Sequence, residues 1–212
     1  KVQPSIEVIF NKFLYNQNYY VLKFTNDWIG QETFTSESLQ EFKYGYFNRL
    51  SIERKDSKIM NPLNGKIELE TGNFNHFLDN RESYVNLKAE LSSYFRFAKQ
   101  KKLDVRIYAA GQLWNSGPKN DITRPGTLGL IGFANNDYMF DDYFLDRGAQ
   151  KGQFSKQINM SGGGFKNSVR PATELGQSNQ FVVALNLKTD LPINVPVLNS
   201  IKPYFDFGMY RY

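Results

Sequence analysis

Two side chains far apart in the chain are the best placed to make a buried charge contact. Arg147 lies in Leu145-Asp146-Arg147-Gly148, and Asp206 lies in Tyr204-Phe205-Asp206-Phe207-Gly208. Asp206 falls on the polar side of an alternating segment. A loop arginine folded onto that side would bind it through charge-assisted hydrogen bonds, roughly twice as strong as neutral ones. Gly208 would permit close backbone approach beside them. The competing reading makes both residues ordinary charges on a wet face. Other candidates for chemistry are poorer. Glu68 and Glu70 share a strand face as a paired-carboxylate site would, but Lys66 is beside them and the face reads as wet. Asp141-Asp142 is too few oxygens for calcium, which takes six or more. His76 is the only histidine, whereas a zinc hydrolase needs two or three. Gly162-Gly163-Gly164 lacks the strand–loop–helix setting of a phosphate cradle and reads as a flexible or bulged strand. No nucleophile elbow, Walker loop or dinucleotide fingerprint occurs. No metal, cofactor or catalytic role is expected.

The segments that would position these residues alternate strictly between apolar and polar. From Tyr84 to Phe97, Val85, Leu87, Ala89, Leu91, Phe95 and Phe97 fall on one face, with Asn86, Lys88, Glu90 and Arg96 on the other. Leu103 to Trp114 repeats this, with Leu103, Val105, Ile107, Ala109 and Leu113 set against Asp104, Arg106, Tyr108, Gln112 and Trp114. Period two is the period of a β-strand with one greasy side and one wet side. A soluble strand has about 5–6 residues, and a membrane-crossing strand ~9–11. Length and alternation together predict a transmembrane β-barrel.

Eight more strands are expected, at Ser5–Leu14, Tyr19–Trp28, Phe42–Arg54, Gly65–Phe74, Leu128–Ala134, Phe154–Phe165, Gln180–Leu191 and Ile201–Tyr212. Thr35-Ser36-Glu37-Ser38 before Leu39 would cap one short helix within Glu32–Phe42. Strand parity conflicts around the long connections at Asn115–Arg124 and Asn135–Gly152. Either Tyr138–Leu145 is an additional strand or the two loops lie on opposite sides of the membrane.

Composition agrees. The chain has 212 residues, 16% aromatic, with 13 Tyr and 18 Phe, which suits sheets and the aromatic girdles of barrels. There is no cysteine, which excludes a disulfide framework, a cysteine–zinc cluster and a thiol nucleophile. The net charge of +5 is dispersed, and Lys99–Lys102 reads as a solvated turn rather than a nucleic-acid patch. The chain opens on Lys1 without an initiator Met and enters a strand almost at once, which reads as a mature protein or a piece of a larger one.

The stretch Gly176 to Met209 resembles the barrel of outer-membrane assembly factors and two-partner secretion transporters. That family carries an aromatic-x-Asp-x-Gly strand motif, matched by Tyr204, Asp206 and Gly208, after an Asn-Leu-x-x-x-x-Pro-like strand, matched by Asn186-Leu187 and Pro192. It pairs this motif with an Arg-Gly-aromatic loop motif in the lumen. Arg147-Gly148 is similar, but Ala149 replaces the aromatic. Asn136–Arg147 with Gly152–Phe165 is also similar to barrels fused to surface peptidases in Bacteroidetes-like bacteria. The resemblance covers about the C-terminal third.

The expected fold is thus all-β, an antiparallel transmembrane β-barrel, with residues 1–212 forming part of a larger one in a bacterial outer membrane. The resemblance implies a role in outer-membrane protein insertion or polypeptide export, with Arg147, Asp206 and Gly208 as a lumenal loop lock. The expected partners are the lipid bilayer, lipopolysaccharide and other assembly or secretion proteins, with no nucleic acid. The alternatives are a barrel that anchors or exports a surface peptidase, and a soluble β-sandwich that binds glycans or protein.

Overall fold

The computed structural model describes residues 2–12, 17–34, 40–75, 81–99, 101–117, 126–130, 162–165, 176–191 and 202–211, with side chains left undescribed at 29–34 and 40–44. It is all-β. Ten strands run in chain order: β1 (Ser5–Phe10), β2 (Asn18–Phe34), β3 (Gln40–Asp56), β4 (Leu63–Asn75), β5 (Arg81–Ala98), β6 (Lys101–Asn115), β7 (Leu128–Gly129), β8 (Gln177–Ser178), β9 (Phe181–Thr189) and β10 (Tyr204–Arg211). Eight form one antiparallel sheet in the order β1-β2-β3-β4-β5-β6-β9-β10, and β7 pairs with β8 in a separate two-stranded sheet. Among the described residues the large sheet does not close into a barrel; β1 and β10 are its two edges.

The alternation read from the sequence becomes two faces of opposite chemistry. Residues paired across antiparallel strands share a face. One such row crosses all eight strands as Val8, Leu22, Ile52, Ile67, Ala89, Ala109, Val183 and Met209. The row is apolar throughout, yet Ile67 is 59% exposed and Met209 54%. A parallel row carries Phe10, Tyr20, Leu91, Ile107, Leu185 and Phe207, interrupted by Arg54 and Gly65 on β3 and β4. The opposite face holds Asp27, Arg49, Glu70, Lys88, Asn86, Arg106 and Asn186, and there Asp27 and Asn86 are wholly buried. The sheet is inverted relative to a water-soluble one, with its apolar face open and its polar face covered.

The cover comes from the connection between β6 and β9. Leu128 and Leu130 pack on Tyr108, Ala110, Val182 and Ala184, with Phe165 and Tyr210 at the margin. Backbone bonds hold the pieces together: Leu130 N donates to Gly176 O at 2.7 Å, Gly163 N to Gly129 O at 2.9 Å and Phe165 N to Leu130 O at 3.0 Å.

Several expectations are revised here. Of Leu128–Ala134 the described part, Leu128–Leu130, is outside the large sheet: its strand Leu128–Gly129 pairs with Gln177–Ser178. Gly162–Phe165, the described part of Phe154–Phe165, is a turn docked on Leu130. β6 pairs directly with β9, so among the described residues no strand stands between them in the large sheet. Tyr138–Leu145 lies outside the described residues. A helix over Glu32–Phe42 is replaced by the continuation of β2 to Phe34 and β3 from Gln40, paired in register. Trp114 belongs to the apolar face, because a bulge between the Val85–Trp114 and Asn86–Gln112 pairs inserts one residue and reverses the alternation beyond it.

Candidate functional site

The covered polar face is the candidate site, and its residues come from seven neighbouring strands, β2 to β6 with β9 and β10. At its centre Ser92, Arg106, Asn186 and Asp206 occupy one cross-strand row on β5, β6, β9 and β10. Arg106 is the hub. One terminal nitrogen donates to Asn186 Oδ1 at 2.9 Å; the other donates to Glu90 Oε2 at 2.8 Å and to the Gly162 carbonyl at 2.8 Å. Asn186 Nδ2 then donates to Asp206 Oδ1 at 2.9 Å. Four adjacent strands and the docked turn are therefore joined through one guanidinium, whose planar fork presents several donors at once.

The glycines of that turn are there because the approach is close. A Cβ on Gly163 would lie 2.5 Å from Leu130 Cα, and one on Gly164 would lie 2.7 Å from an Arg106 terminal nitrogen, at a φ of +67° that side chains rarely adopt. Gly208 plays the same part from the sheet side: a Cβ there would meet Phe165 Cζ at 2.6 Å and Leu130 Cδ2 at 2.7 Å.

A second cluster occupies the next three rows of the same face. Lys88 Nζ reaches Glu70 Oε2 at 2.5 Å and Glu68 Oε1 at 3.4 Å, and Lys66 Nζ reaches Glu68 Oε2 at 2.7 Å. The Tyr84 hydroxyl donates to Glu70 Oε1 at 2.8 Å. Tyr84 stands with Phe47 and Phe74 in a small aromatic cluster, ring centroids 6.2–6.4 Å apart. Asn86 Nδ2 donates to Gly126 O at 2.7 Å, fixing the start of the docked segment. Farther along, Arg49 pairs with the buried Asp27 at 2.7 Å. The buried Asp27, Glu70 and Arg106 each have an opposite charge beside them, the condition under which desolvation is offset.

Of the three predicted site residues, Asp206 is in the network and Gly208 is beside the docked segment. Arg147 lies outside the described residues, as do His76 and Asp141-Asp142. Glu68 and Glu70 are occupied by lysines rather than poised as an acid–base pair. Sequence reading missed Arg106 and Asn186 because each looked like one more wet-face residue of an alternating strand. The available signal was Gly162-Gly163-Gly164, since three consecutive glycines mark a place where another chain comes near. Among the described residues no group of His, Cys, Asp or Glu has the arrangement of a metal site.

Most of the donors and acceptors named above bond to one another or to backbone carbonyls of the docked segment. No protein-family model, curated protein or solved structure matches the chain.

Proposed function

We propose that this chain forms wall strands of a bacterial outer-membrane β-barrel of the assembly or translocation type, helping to insert outer-membrane proteins or to export a polypeptide. The observation that carries the reading is the inversion of the sheet. About twenty large apolar side chains on one face are exposed, most of them 40–60%. At ~1.5–3 kcal/mol for full burial of each, leaving them in water forgoes on the order of 20 kcal/mol. That exceeds the ~5–15 kcal/mol by which a typical domain is stable. Lipid would cover such a face, and a barrel presents an apolar band outward around a polar, often plugged, interior.

The dimensions support it. Val85 to Phe97 on β5 is thirteen residues, twelve steps and ~40 Å along the strand. At the ~40° tilt of barrel strands this gives ~30 Å of height, the thickness of a bilayer's hydrocarbon core. Trp28 and Tyr46, edge to face at 5.7 Å, and Trp114 stand on the apolar face where an interfacial girdle belongs. The segment over the polar face then occupies the lumen, held by Arg106, Asn186 and Asp206. The assembly or translocation role rests on the resemblance of Gly176–Met209 to that family of barrels.

The test is gel mobility of the natural full-length protein, extracted from outer membranes in mild detergent, with and without boiling. A shift on boiling is expected. A protein that is soluble without detergent and shows no shift overturns the reading and favours a β-sandwich, with a second sheet packed ~10 Å from the apolar face.

A further inference from the structure

We infer that the short-turn end of the sheet carries a binding site for the phosphate headgroup of an anionic phospholipid. The inference rests on the membrane reading above and goes beyond it. A cleft of about 980 Å³ lies between the β3–β4 turn, the β5–β6 turn and the segment joining β9 to β10. Five cations line it: Arg96, Lys99, Lys101, Lys102 and Lys202. Two acids stand against them among the described residues. Lys102 Nζ meets Asp104 at 2.8 Å and Lys202 Nζ meets Asp190 at 3.2 Å.

The arrangement is costly without an anion. Arg96 and Lys102 are direct cross-strand partners, and like charges in that position repel. Both lie over the ring of Tyr94, at 5.8 and 5.2 Å from its centroid, which offsets part of that repulsion. The same tyrosine fixes the cleft wall, its hydroxyl donating to the Ile59 carbonyl at 3.0 Å. That contact holds the β3–β4 turn over the cleft, where Ile59 and Met60 are 71% and 66% exposed.

The apolar side of the cleft identifies the occupant. Phe97 lines it at the bulge between Arg96 and Ala98. With Ile59 and Met60 it gives the cleft an exposed apolar rim beside the cations. A free anion or a nucleic acid would use the cations and leave Ile59, Met60 and Phe97 wet. A phospholipid uses both, with phosphate among the cations and its acyl chains against these three side chains.

The experiment is native mass spectrometry of the full-length protein released from zwitterionic micelles, with phosphatidylglycerol and phosphatidylcholine of matched chains in competition. Retention is expected to favour phosphatidylglycerol by about tenfold, and Arg96→Gln/Lys99→Gln/Lys101→Gln/Lys202→Gln to abolish the preference while the boiling-dependent gel shift persists. Lys99→Gln alone, at an exposed turn, keeps the test decisive should the fourfold variant misfold, with a loss of roughly two- to threefold expected. Equal retention of the two lipids, or a preference that survives these substitutions, overturns the inference. Displacement of phosphatidylglycerol by an equal concentration of inorganic phosphate also overturns it, in favour of a free-anion site. A gel shift without lipid preference removes this inference alone; no shift and solubility without detergent remove the membrane reading with it.

Discussion

Gly163→Ala should release the docked segment from the polar face while leaving the wall intact. The added Cβ would sit 2.5 Å from both Leu130 Cα and Leu130 O, and 2.8 Å from its carbonyl carbon. These are backbone atoms, so no rotamer change relieves the clash and the two chains must part. Separation breaks the bonds from Gly163 N to Gly129 O and from Phe165 N to Leu130 O, and the bond from Arg106 to the Gly162 carbonyl. At ~1 kcal/mol for each neutral bond and ~1.5–3 for the charge-assisted one, the docking free energy falls by about 4 kcal/mol. Amide exchange at Leu130 and Phe165 should then quicken by up to ~10³-fold, limited by whatever stability the segment has. Hydrogen exchange read by mass spectrometry on the protein in micelles measures this, with amides of β5 and β6 as internal reference. Gly111→Ala is the matched control. Its Cβ would meet only Gln180 O, at 3.8 Å, an ordinary contact, so exchange should stay as in the parent. Unchanged protection of Leu130 and Phe165 in Gly163→Ala would refute the close docking and the lock built on it.

Arg106→Ala should destabilise by about 3 kcal/mol or more, because it strands Glu90, Asn186 and the Gly162 carbonyl; a thermal gel-shift midpoint equal to the parent's would contradict the hub role. Asp206→Ala removes an acceptor of Asn186 and should impair assembly or export while membrane insertion persists; unchanged activity in a complementation assay rejects the lock. Trp28 and Trp114 should be quenched by a lipid-borne quencher and protected from aqueous acrylamide, and the reverse pattern would place the apolar face in water or in a protein interface. Two turn carboxylates predict acid sensitivity. For Asp56, burial pushes the carboxyl up, but the backbone N–H groups of Lys58 and Leu63 and the Lys58 and Arg54 charges outweigh it and hold the carboxyl below its ordinary range. For Asp190 the Lys102 backbone N–H leads, with Lys202 adding to it, and the direction is the same. Both are more acidic folded than unfolded, so each contributes stability above the ordinary carboxylate range and loses it as pH falls through and below about 4. Exchange at the Lys58 and Lys102 amides should therefore rise below that pH, and a flat profile would count against these caps.

Alternation was legible in the sequence wherever both faces had a clear chemistry. Tyr84–Phe97 and Leu103–Trp114 fall within β5 and β6, and Gln180–Leu191 contains β9. It misled at Trp114, because a single bulged residue reverses the period and nothing local announces it. At Leu128–Ala134 it did not tell which sheet the strand would join, because an apolar run flanked by glycine suits a buried patch as well as a wall strand, and Leu128–Gly129 pairs outside the large sheet. Apolar periodicity reports that a side chain must be covered, not by what.

The sequence by itself determined the strands, their long lengths and the opposite character of their faces, since these follow from the period-two geometry of an extended backbone. Only the tertiary structure decided what those faces meet. Asn186 and Arg106 are eighty residues apart and become partners solely because β9 pairs with β6. Leu130 finds Gly163 and Gly208 because the connection between those strands folds back over the polar face. Such contacts depend on strand order and on the path of a loop, and these emerge from the whole chain's pairing rather than from any window of residues.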